Sequence, residues 1–171
     1  GVLLPLVNQA EELQAAFSHA RYPLAGKRGL GGERAVRWGA AVQDYVATAN
    51  AETMVIPVIE TAEAVANSAA ILAVEGLEAI FFGPSDMSQS YGHMAVWEGP
   101  GVAAEIARIQ GLATRAGIVS GVIGTGEADI ARRVSEGFQM IGLGSDASLL
   151  SRKLGELLGP YRALAARKAG Y

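Results

Sequence analysis

Two acidic residues stand just beyond apolar runs that are typical of buried strands. Glu60 follows Val55–Ile59 directly, and Asp86 follows Ala79–Phe82 after Gly83-Pro84-Ser85. Because one strand-and-helix unit separates them, the two acids are expected at the ends of neighbouring strands. Two carboxylates that converge there suit a hard divalent cation such as Mg²⁺ or Mn²⁺, with water and substrate oxygens as further ligands. Either acid alone is better explained as a helix cap or a turn residue, so it is the pair that favours a metal site.

The turn Gly83–Ser88 is a second candidate for chemistry. Its small residues allow the backbone N–H groups of Ser85 and Asp86 to point toward the strand ends and hold an anion such as a carboxylate. The same pattern is found in tight loops that bind nothing, so by itself it leaves both interpretations open.

The elements that must position these residues alternate between strand and helix. Five apolar runs are continuous rather than alternating, which is typical of parallel strands covered on both faces. They are residues 1–7, 54–59, 79–82, 117–123 and 140–143. Helical spacing is found at residues 11–17, 61–72, 102–116, 127–136 and 148–168. Thr61 is the expected N-cap of the second helix, and Gly159-Pro160 is expected to divide the last one.

This alternation predicts an α/β protein with right-handed βαβ units and a parallel sheet. Two architectures remain open at this point, an open doubly wound sheet and a closed (β/α)₈ barrel. Five units favour the open sheet by count, because a barrel usually needs about 250 residues. Polar residues beyond the carboxyl ends of the strands are found in both architectures and do not decide between them.

Composition excludes several classes of protein. The chain has 171 residues, enough for one domain, and 50% apolar with 18% charged residues is unlike a disordered segment. A net charge of −3 argues against a nucleic-acid surface, and the lack of cysteine removes disulfides and thiolate sites. No apolar run approaches the roughly 20 residues that span a bilayer. A cytoplasmic protein with neither nucleic-acid nor membrane partners is therefore expected.

Several short motifs are specific enough to suggest a family. They are Val58-Ile59-Glu60-Thr61, residues 73–79, residues 81–88 (Phe-Phe-Gly-Pro-Ser-Asp-Met-Ser) and Tyr91-Gly92-His93. Further matches are found in residues 1–8, 21–29, 34–38 and 144–150. Taken together, these motifs resemble the HpcH/HpaI aldolase family, metal-dependent (class II) pyruvate aldolases related to the citrate lyase β-subunit and to malyl-CoA lyases.

The resemblance implies a (β/α)₈ TIM barrel of the phosphoenolpyruvate/pyruvate type. Residues 1–171 would then form a single partial domain, with strands four to eight and the C-terminal helices. Glu60 and Asp86 would bind the divalent metal, Mg²⁺ or Mn²⁺, with Co²⁺ also compatible. Gly83, Pro84, Ser85 and Asp86 would hold pyruvate, whose carboxylate meets backbone amides. The implied reaction is the reversible cleavage of a 4-hydroxy-2-oxoacid to pyruvate and an aldehyde through a metal-stabilised enolate.

The chain departs from the family pattern in two places. Aligned on the family, Gly1 falls at about the fourth strand, so the units with the general-base histidine and the carbonyl-polarising arginine are absent. The catalytic residues are therefore unknown here. Val58 stands where many relatives have a glutamine, and valine cannot form the hydrogen bond. His93 matches a loop element rather than the base, and His19 is expected at the surface.

The glycine- and arginine-rich segment Gly26–Asn50 has no strand signal and is predicted to be a βα-loop elaboration. Its residues Arg28, Arg34, Arg37 and Trp38 are interpreted equally well as shaping the aldehyde side, as touching a neighbouring subunit, or as a solvated basic loop. The resemblance also implies a homo-oligomer, commonly a hexamer in relatives.

Two other functions stay open. One is a malyl- or citramalyl-CoA-type lyase, and the other is a truncated chain without catalysis.

Overall fold

The sheet consists of five parallel strands in sequential order. The computed structural model describes residues 1–168 and the side chains of residues 1–161. The strands are β1 (Val2–Leu4), β2 (Val55–Ile59), β3 (Ala79–Phe82), β4 (Val119–Ile123) and β5 (Met140–Gly142). Each pairs with the next along the chain, so the spatial order is β1-β2-β3-β4-β5.

Eight helices accompany the strands in the part of the chain that the structure describes. They are α1 (Ala10–Ala20), α2 (Val42–Glu52), α3 (Ala62–Ala66), α4 (Ser68–Leu72), α5 (Pro84–Ser90), α6 (Val102–Arg115), α7 (Glu127–Ser135) and α8 (Asp146–Lys168). A short 3₁₀ turn lies at Arg34–Val36. No helix among residues 1–168 has both the length and the apolar character needed to cross a membrane.

The two faces of the sheet are covered differently. One face packs on helices in a continuous core that includes Phe82 of β3 with Leu13 of α1 and Ile109 of α6. The buried residues of the opposite face, Ile56, Val58, Ala79 and Phe81, all come from strands. Helices on one face and a sequential strand order are the features of a barrel segment, whereas a doubly wound sheet has helices on both faces.

A glycine makes room for the largest side chain of the inner face. Phe81 of β3 lies in register with Gly121 of β4. A Cβ atom on Gly121 would lie 2.5 Å from Cδ2 of Phe81, so only glycine leaves space for the ring at this point. The close approach of β3 and β4 at the inner core depends on this residue.

The helical predictions are partly corrected. Thr61 is the N-cap as expected, since its hydroxyl accepts a hydrogen bond of 3.0 Å from the N–H of Ala64. The predicted helix 61–72 is divided into α3 and α4 at Asn67, whose side-chain amide donates to the carbonyl of Asn8. The predicted interruption at Gly159-Pro160 is wrong, because α8 continues through Pro160. An interior proline removes one hydrogen bond and crowds the carbonyl four residues earlier, but its φ angle is close to the helical value, so a helix can continue through it at some cost.

The prediction for Gly26–Asn50 is wrong in its position and its content. The segment follows a helix and precedes β2, so it is a helix-to-strand connection at the amino ends of the strands, and its second half is helix α2. Arg28 donates to the hydroxyl of Tyr45 at 3.0 Å and helps to line a hollow of about 520 Å³ with Gly1 and Thr53. Helix α2 buries only Ala49, so it lacks the apolar periodicity by which a helix is recognised in a sequence.

Candidate functional site

The carboxyl ends of β2 and β3 deliver the predicted site residues to one cleft. The cleft has a volume of about 240 Å³ and is lined by Leu3, Val58, Glu60, Phe81, Phe82, Gly83, Pro84, Ser85, Asp86, Trp97 and Ile123. All five residues that the sequence singled out, Glu60 and Gly83 to Asp86, are among them. Because both strands are parallel neighbours in register, their ends meet at the same edge of the sheet.

Glu60 is held in place from two sides. One carboxylate oxygen, Oε1, accepts a hydrogen bond of 2.8 Å from the N–H of Leu6, which has a left-handed backbone with φ of 56°. The other oxygen lies against Gly83, where a Cβ atom would be 2.6 Å from Oε2. Glycine is therefore required beside this carboxylate for space, and the residue after β1 adopts an uncommon conformation to supply the donor.

The charge of Glu60 is not balanced by a basic residue. Glu60 is only 7% exposed, and this burial raises the pKa of its carboxyl, as does the nearby Asp86, while the N–H of Leu6 lowers it. The ion pairs formed by residues 1–161 do not include Glu60 or Asp86. A buried, unpaired carboxylate is costly, and a second acid beside it adds repulsion. A bound cation would remove both penalties.

The donor set fits a hard divalent ion with an incomplete protein shell. Carboxylate oxygens are the ligands that Mg²⁺ and Mn²⁺ prefer. Among the described side chains, no cluster of three or more His, Cys, Asp or Glu residues is found. This part of the chain thus offers two carboxylates, and an ion held between them would take its other ligands from water, substrate or further residues.

The beginning of α5 presents free backbone donors to the same cleft. Pro84 occupies the first helical position, and Met87 is the first residue whose N–H bonds back, to the carbonyl of Gly83 at 2.9 Å. The N–H groups of Ser85 and Asp86 precede this bond and have no backbone acceptor. Such first-turn amides attract anions. The turn predicted at residues 83–88 is thus mostly the first turn of a helix.

Other sequence candidates lie outside the cleft or play a passive part. His93 donates its backbone N–H to Ser88 at 2.8 Å, and its side chain packs against Gly99, so it does not line the cleft. Val58 does line it, as an apolar wall residue two positions before Glu60. His19 is exposed on α1, as expected.

Sequence reasoning missed two residues of this region, Leu6 and Trp97. Leu6 lies beyond β1 and is distant in sequence from the Glu60 that it contacts. Trp97 reaches the cleft from the connection between α5 and α6. An apolar residue in a loop carries no spacing signal, so neither residue is recognisable without the contacts.

With this geometry in hand, comparison with known proteins identifies the family. The profile of the HpcH/HpaI aldolase/citrate lyase family matches residues 1–152. The chain belongs to that family. Among curated relatives, the hydroxypyruvate/pyruvate aldolase of Chromohalobacter salexigens is 38% identical over 163 residues, covering 94% of this chain and 64% of the relative. The 4-hydroxy-2-oxovalerate aldolase of Novosphingobium aromaticivorans is 37% identical over 175 residues, covering 99% and 64%.

Solved structures agree on the fold. An HpcH/HpaI aldolase/citrate lyase family protein from Burkholderia cenocepacia J2315 superimposes with a TM-score of 0.83 at 29% identity, covering 94% of this chain and 64% of that chain. The citrate synthase SbnG has a TM-score of 0.81 at 27% identity, covering 97% and 64%. The present chain therefore spans about three fifths of the length of the relatives it matches. The five strands form a curled part of the TIM barrel that the resemblance implied.

Proposed function

We propose that this chain provides the metal and pyruvate site of a class II aldolase, which reversibly cleaves a 4-hydroxy-2-oxoacid to pyruvate and an aldehyde. The observation that supports this most directly is that Glu60 and Asp86 share one cleft, which no basic side chain of residues 1–161 lines. The names of relatives, which include aldolases for hydroxypyruvate, 4-hydroxy-2-oxovalerate and 4-hydroxy-2-oxo-heptane-1,7-dioate, agree with this class of reaction.

Each of the five predicted site residues of the cleft has a role in this proposal. Glu60 and Asp86 hold Mg²⁺ or Mn²⁺, with Co²⁺ as a further candidate. When bound, the ion supplies Lewis-acid stabilisation of the negative charge that develops on the keto oxygen of pyruvate. The N–H groups of Ser85 and Asp86 hold the pyruvate carboxylate, and Gly83 and Pro84 shape the turn that exposes them. The N–H of Leu6 orients Glu60 and keeps it available as a ligand.

The test measures pyruvate release from 4-hydroxy-2-oxovalerate by a full-length version, which carries residues 1–171 together with the histidine and arginine that the resemblance implies. This version is the wild-type protein of the enzyme assays below. We expect turnover that EDTA abolishes and Mn²⁺ restores. We expect Glu60→Gln and Asp86→Asn to remove turnover and to weaken Mn²⁺ binding, measured by electron paramagnetic resonance, by a factor of about 100. Glu63→Gln and Asp44→Asn, at exposed positions on α3 and α2, are the matched controls. Turnover that persists in EDTA, or Mn²⁺ binding that survives in both cleft variants, would contradict the proposal.

A lyase acting on an acyl-CoA substrate is the second candidate, because a citrate synthase is among the similar folds. The two reactions differ in product. Malyl- or citramalyl-CoA cleavage releases a CoA thioester such as acetyl-CoA, whereas the aldolase reaction releases pyruvate and a free aldehyde. Supplying each substrate separately to the same preparation, and measuring acetyl-CoA from the CoA ester against pyruvate from 4-hydroxy-2-oxovalerate, separates them. A protein that binds Mn²⁺ and turns over neither substrate would support the third interpretation, a chain without catalysis.

We also propose that the protein is a homo-oligomer that uses α8. The leucines of α8 form an exposed stripe along the helix: Leu149, Leu150, Leu154, Leu157 and Leu158 are 42–61% exposed. Exposed apolar surface of this extent is typical of an interface. Leu154→Glu with Leu158→Glu should lower the mass measured by light scattering. We also propose that the protein is cytoplasmic.

A further inference from the structure

Trp97 reaches the cleft from a different part of the chain than the other lining residues do. Within the described part of the chain, the other lining residues belong to strands, to their carboxyl ends or to the start of α5. Trp97 alone comes from the connection between α5 and α6. A residue delivered by a connecting loop can vary without disturbing the sheet, which is how barrels change specificity.

The connection is attached to α5 on one side of Trp97. The hydroxyl of Ser88 is fully buried. It donates to the carbonyl of Trp97 at 3.2 Å and accepts a hydrogen bond of 2.8 Å from the N–H of Gly99. Ser88 lies two residues after Asp86 on the same helix, so the helix that presents Asp86 also holds the backbone of Trp97.

The connection is attached to α7 through the next residue. Glu98 forms an ion pair with Arg133, whose side chain is only 2% exposed, and a longer one with Arg132 at 3.4 Å. The guanidinium of Arg133 also lies over the ring of Phe138, 5.8 Å from its centre. By contrast, the indole N–H of Trp97 is buried and bonds to no acceptor among residues 1–161. Trp97 is therefore held by its neighbours and not by its own polar group.

The surface around Trp97 is apolar apart from the two acids and the first turn of α5. Leu3, Val58 and Ile123 line the cleft with it, and Leu3 and Ile123 are 53% and 41% exposed. No Lys, Arg or His side chain is among the described residues that line it. With the charges of Glu60 and Asp86 balanced by the proposed divalent ion, bound pyruvate leaves one net negative charge in the cleft. A carboxylate on the second substrate would meet that charge and no basic side chain among the described lining residues.

We infer that Trp97 is a specificity-determining residue that contacts the aldehyde and favours an uncharged, apolar one, and that Glu98 with Arg133 is the pair that positions it. This inference rests on the proposed aldolase function and adds the class of its second substrate. The expected acceptors are simple alkyl or aryl aldehydes, and aldehydes that carry a carboxylate are disfavoured.

The first experiment compares aldehydes at saturating pyruvate and Mn²⁺. The wild-type protein should prefer propanal and benzaldehyde to succinic semialdehyde. Trp97→Ala should raise the KM for propanal and benzaldehyde at least tenfold, while Trp97→Phe should retain most of the preference. Trp38→Ala, on the opposite end of the sheet and 75% exposed, is the matched control and should change nothing.

The outcomes separate this inference from the function on which it rests. Exchange of the methyl protons of pyruvate in D₂O needs no aldehyde, so it reports on the pyruvate site alone. Exchange and Mn²⁺ affinity should be unchanged within twofold in Trp97→Ala. Metal-dependent exchange with an unaltered aldehyde preference in Trp97→Ala overturns the role of Trp97 and leaves the aldolase proposal intact. A wild-type preference for succinic semialdehyde over propanal and benzaldehyde also overturns the role of Trp97 and leaves the aldolase proposal intact. No exchange and no aldehyde turnover in the wild-type protein overturns both.

The second experiment tests the positioning role of Glu98. The emission of Trp97 is the part of the tryptophan fluorescence that is lost in Trp97→Phe. Glu98→Gln should shift this emission to longer wavelength, and it should raise the KM for propanal with little change in kcat. Glu98→Asp, which keeps the charge, should restore much of both signals. Glu156→Gln, in the exposed ion pair with Lys153, is the control. An unchanged emission together with an unchanged KM in Glu98→Gln overturns the positioning role.

Discussion

Two groups of acids in this molecule are balanced in opposite ways. Around α7, three acids surround Arg132 and Arg133: Asp129 on the helix, Glu136 directly after it, and Glu98 from the connection between α5 and α6. Each acid pairs with at least one guanidinium. At the ends of β2 and β3, Glu60 and Asp86 share a cleft and enter no ion pair with the described side chains. The negative charges of the first group are balanced by arginines of the same chain, whereas those of Glu60 and Asp86 are not balanced by any described side chain.

The pKa values of Glu60 and Asp129, one acid from each group, are shifted in opposite directions. Burial raises the pKa of Glu60, and Asp86 adds to the effect. Burial also acts to raise the pKa of Asp129, but hydrogen bonds from Thr125 and Arg132 and the charge of Arg133 outweigh it, so the pKa of Asp129 is lowered. Acids that stabilise a folded structure have their charge balanced by basic side chains and hydrogen-bond donors of the same structure. Acids that remain unbalanced in a cleft are candidates for binding something from outside.

The largest expected effect is at the cleft. Glu60→Gln or Asp86→Asn removes one of two anionic ligands, and we expect Mn²⁺ affinity to fall by a factor of about 100, the upper part of the range known for changes around metal sites. Isothermal titration calorimetry measures it. The matched change Glu136→Gln, in the other group, should leave Mn²⁺ affinity unchanged. An equal loss of Mn²⁺ affinity in Glu136→Gln would show that the two groups of acids do not differ in metal binding.

The next largest effect is a loss of stability when the acids around α7 lose a basic partner. Arg133→Met leaves Glu98 and its neighbours with one guanidinium fewer in a buried setting, and we expect a loss of about 3–5 kcal/mol in the free energy of unfolding. Lys153→Met, in a pair whose side chains are 67% and 57% exposed, should cost less than about 1 kcal/mol. Urea denaturation monitored by circular dichroism gives both values. Similar small losses in the two variants would show that the buried pair is not stabilising.

A smaller effect is expected from the close contact between Gly83 and Glu60. A methyl group at Gly83 would lie 2.6 Å from Oε2 of Glu60, so Gly83→Ala should displace the carboxylate and weaken Mn²⁺ binding about tenfold, or about 1.4 kcal/mol. Gly155→Ala, on α8 with open space around it, should leave the affinity unchanged. Unaltered binding in Gly83→Ala would show that the contact with Glu60 is unimportant.

The smallest effects concern pH, and their signs are opposite. The folded protein protonates Glu60 more readily than the unfolded chain does, so stability without divalent cations should decrease as the pH rises above the ordinary value of 4.5. For Asp129 the pKa is lowered, so its contribution should be lost as the pH falls toward and below 3.8.

Melting temperatures from pH 3 to pH 7 check both signs. Relative to the wild-type protein, Glu60→Gln should gain stability toward pH 7 in the absence of divalent cations. Asp129→Asn should lose stability over the same interval. Parallel profiles for the two variants would contradict the comparison.

Much of the fold was predictable because strands carry a strong local signal. The five apolar runs coincide with β1 to β5, and the acids that follow two of them meet as expected. The residues alone did not decide between a barrel and a doubly wound sheet, because that choice depends on which face the helices cover. The family resemblance pointed to the barrel, and the strand order with its one-sided helices agrees.

The errors have local causes. Gly26–Asn50 was interpreted as a loop because it has no strand signal and is rich in glycine and arginine, and Gly159-Pro160 was interpreted as an interruption. Helices are found at both. Neither helix depends on a strong local pattern, since α2 buries one alanine and α8 has only exposed side chains through Tyr161. Propensity is a weak guide where packing does not reinforce it.

The order of residues along the chain was enough to determine the strands, their parallel pairing and the meeting of Glu60 with Asp86. All three depend on short-range patterns and on the rule that parallel strands end at one edge of a sheet. The donor from Leu6, the space beside Gly83, the placement of Trp97 and the ion pair of Glu98 with Arg133 were decided only by tertiary structure. Each is a contact between segments distant in sequence, and burial and charge compensation exist only once those segments are packed together.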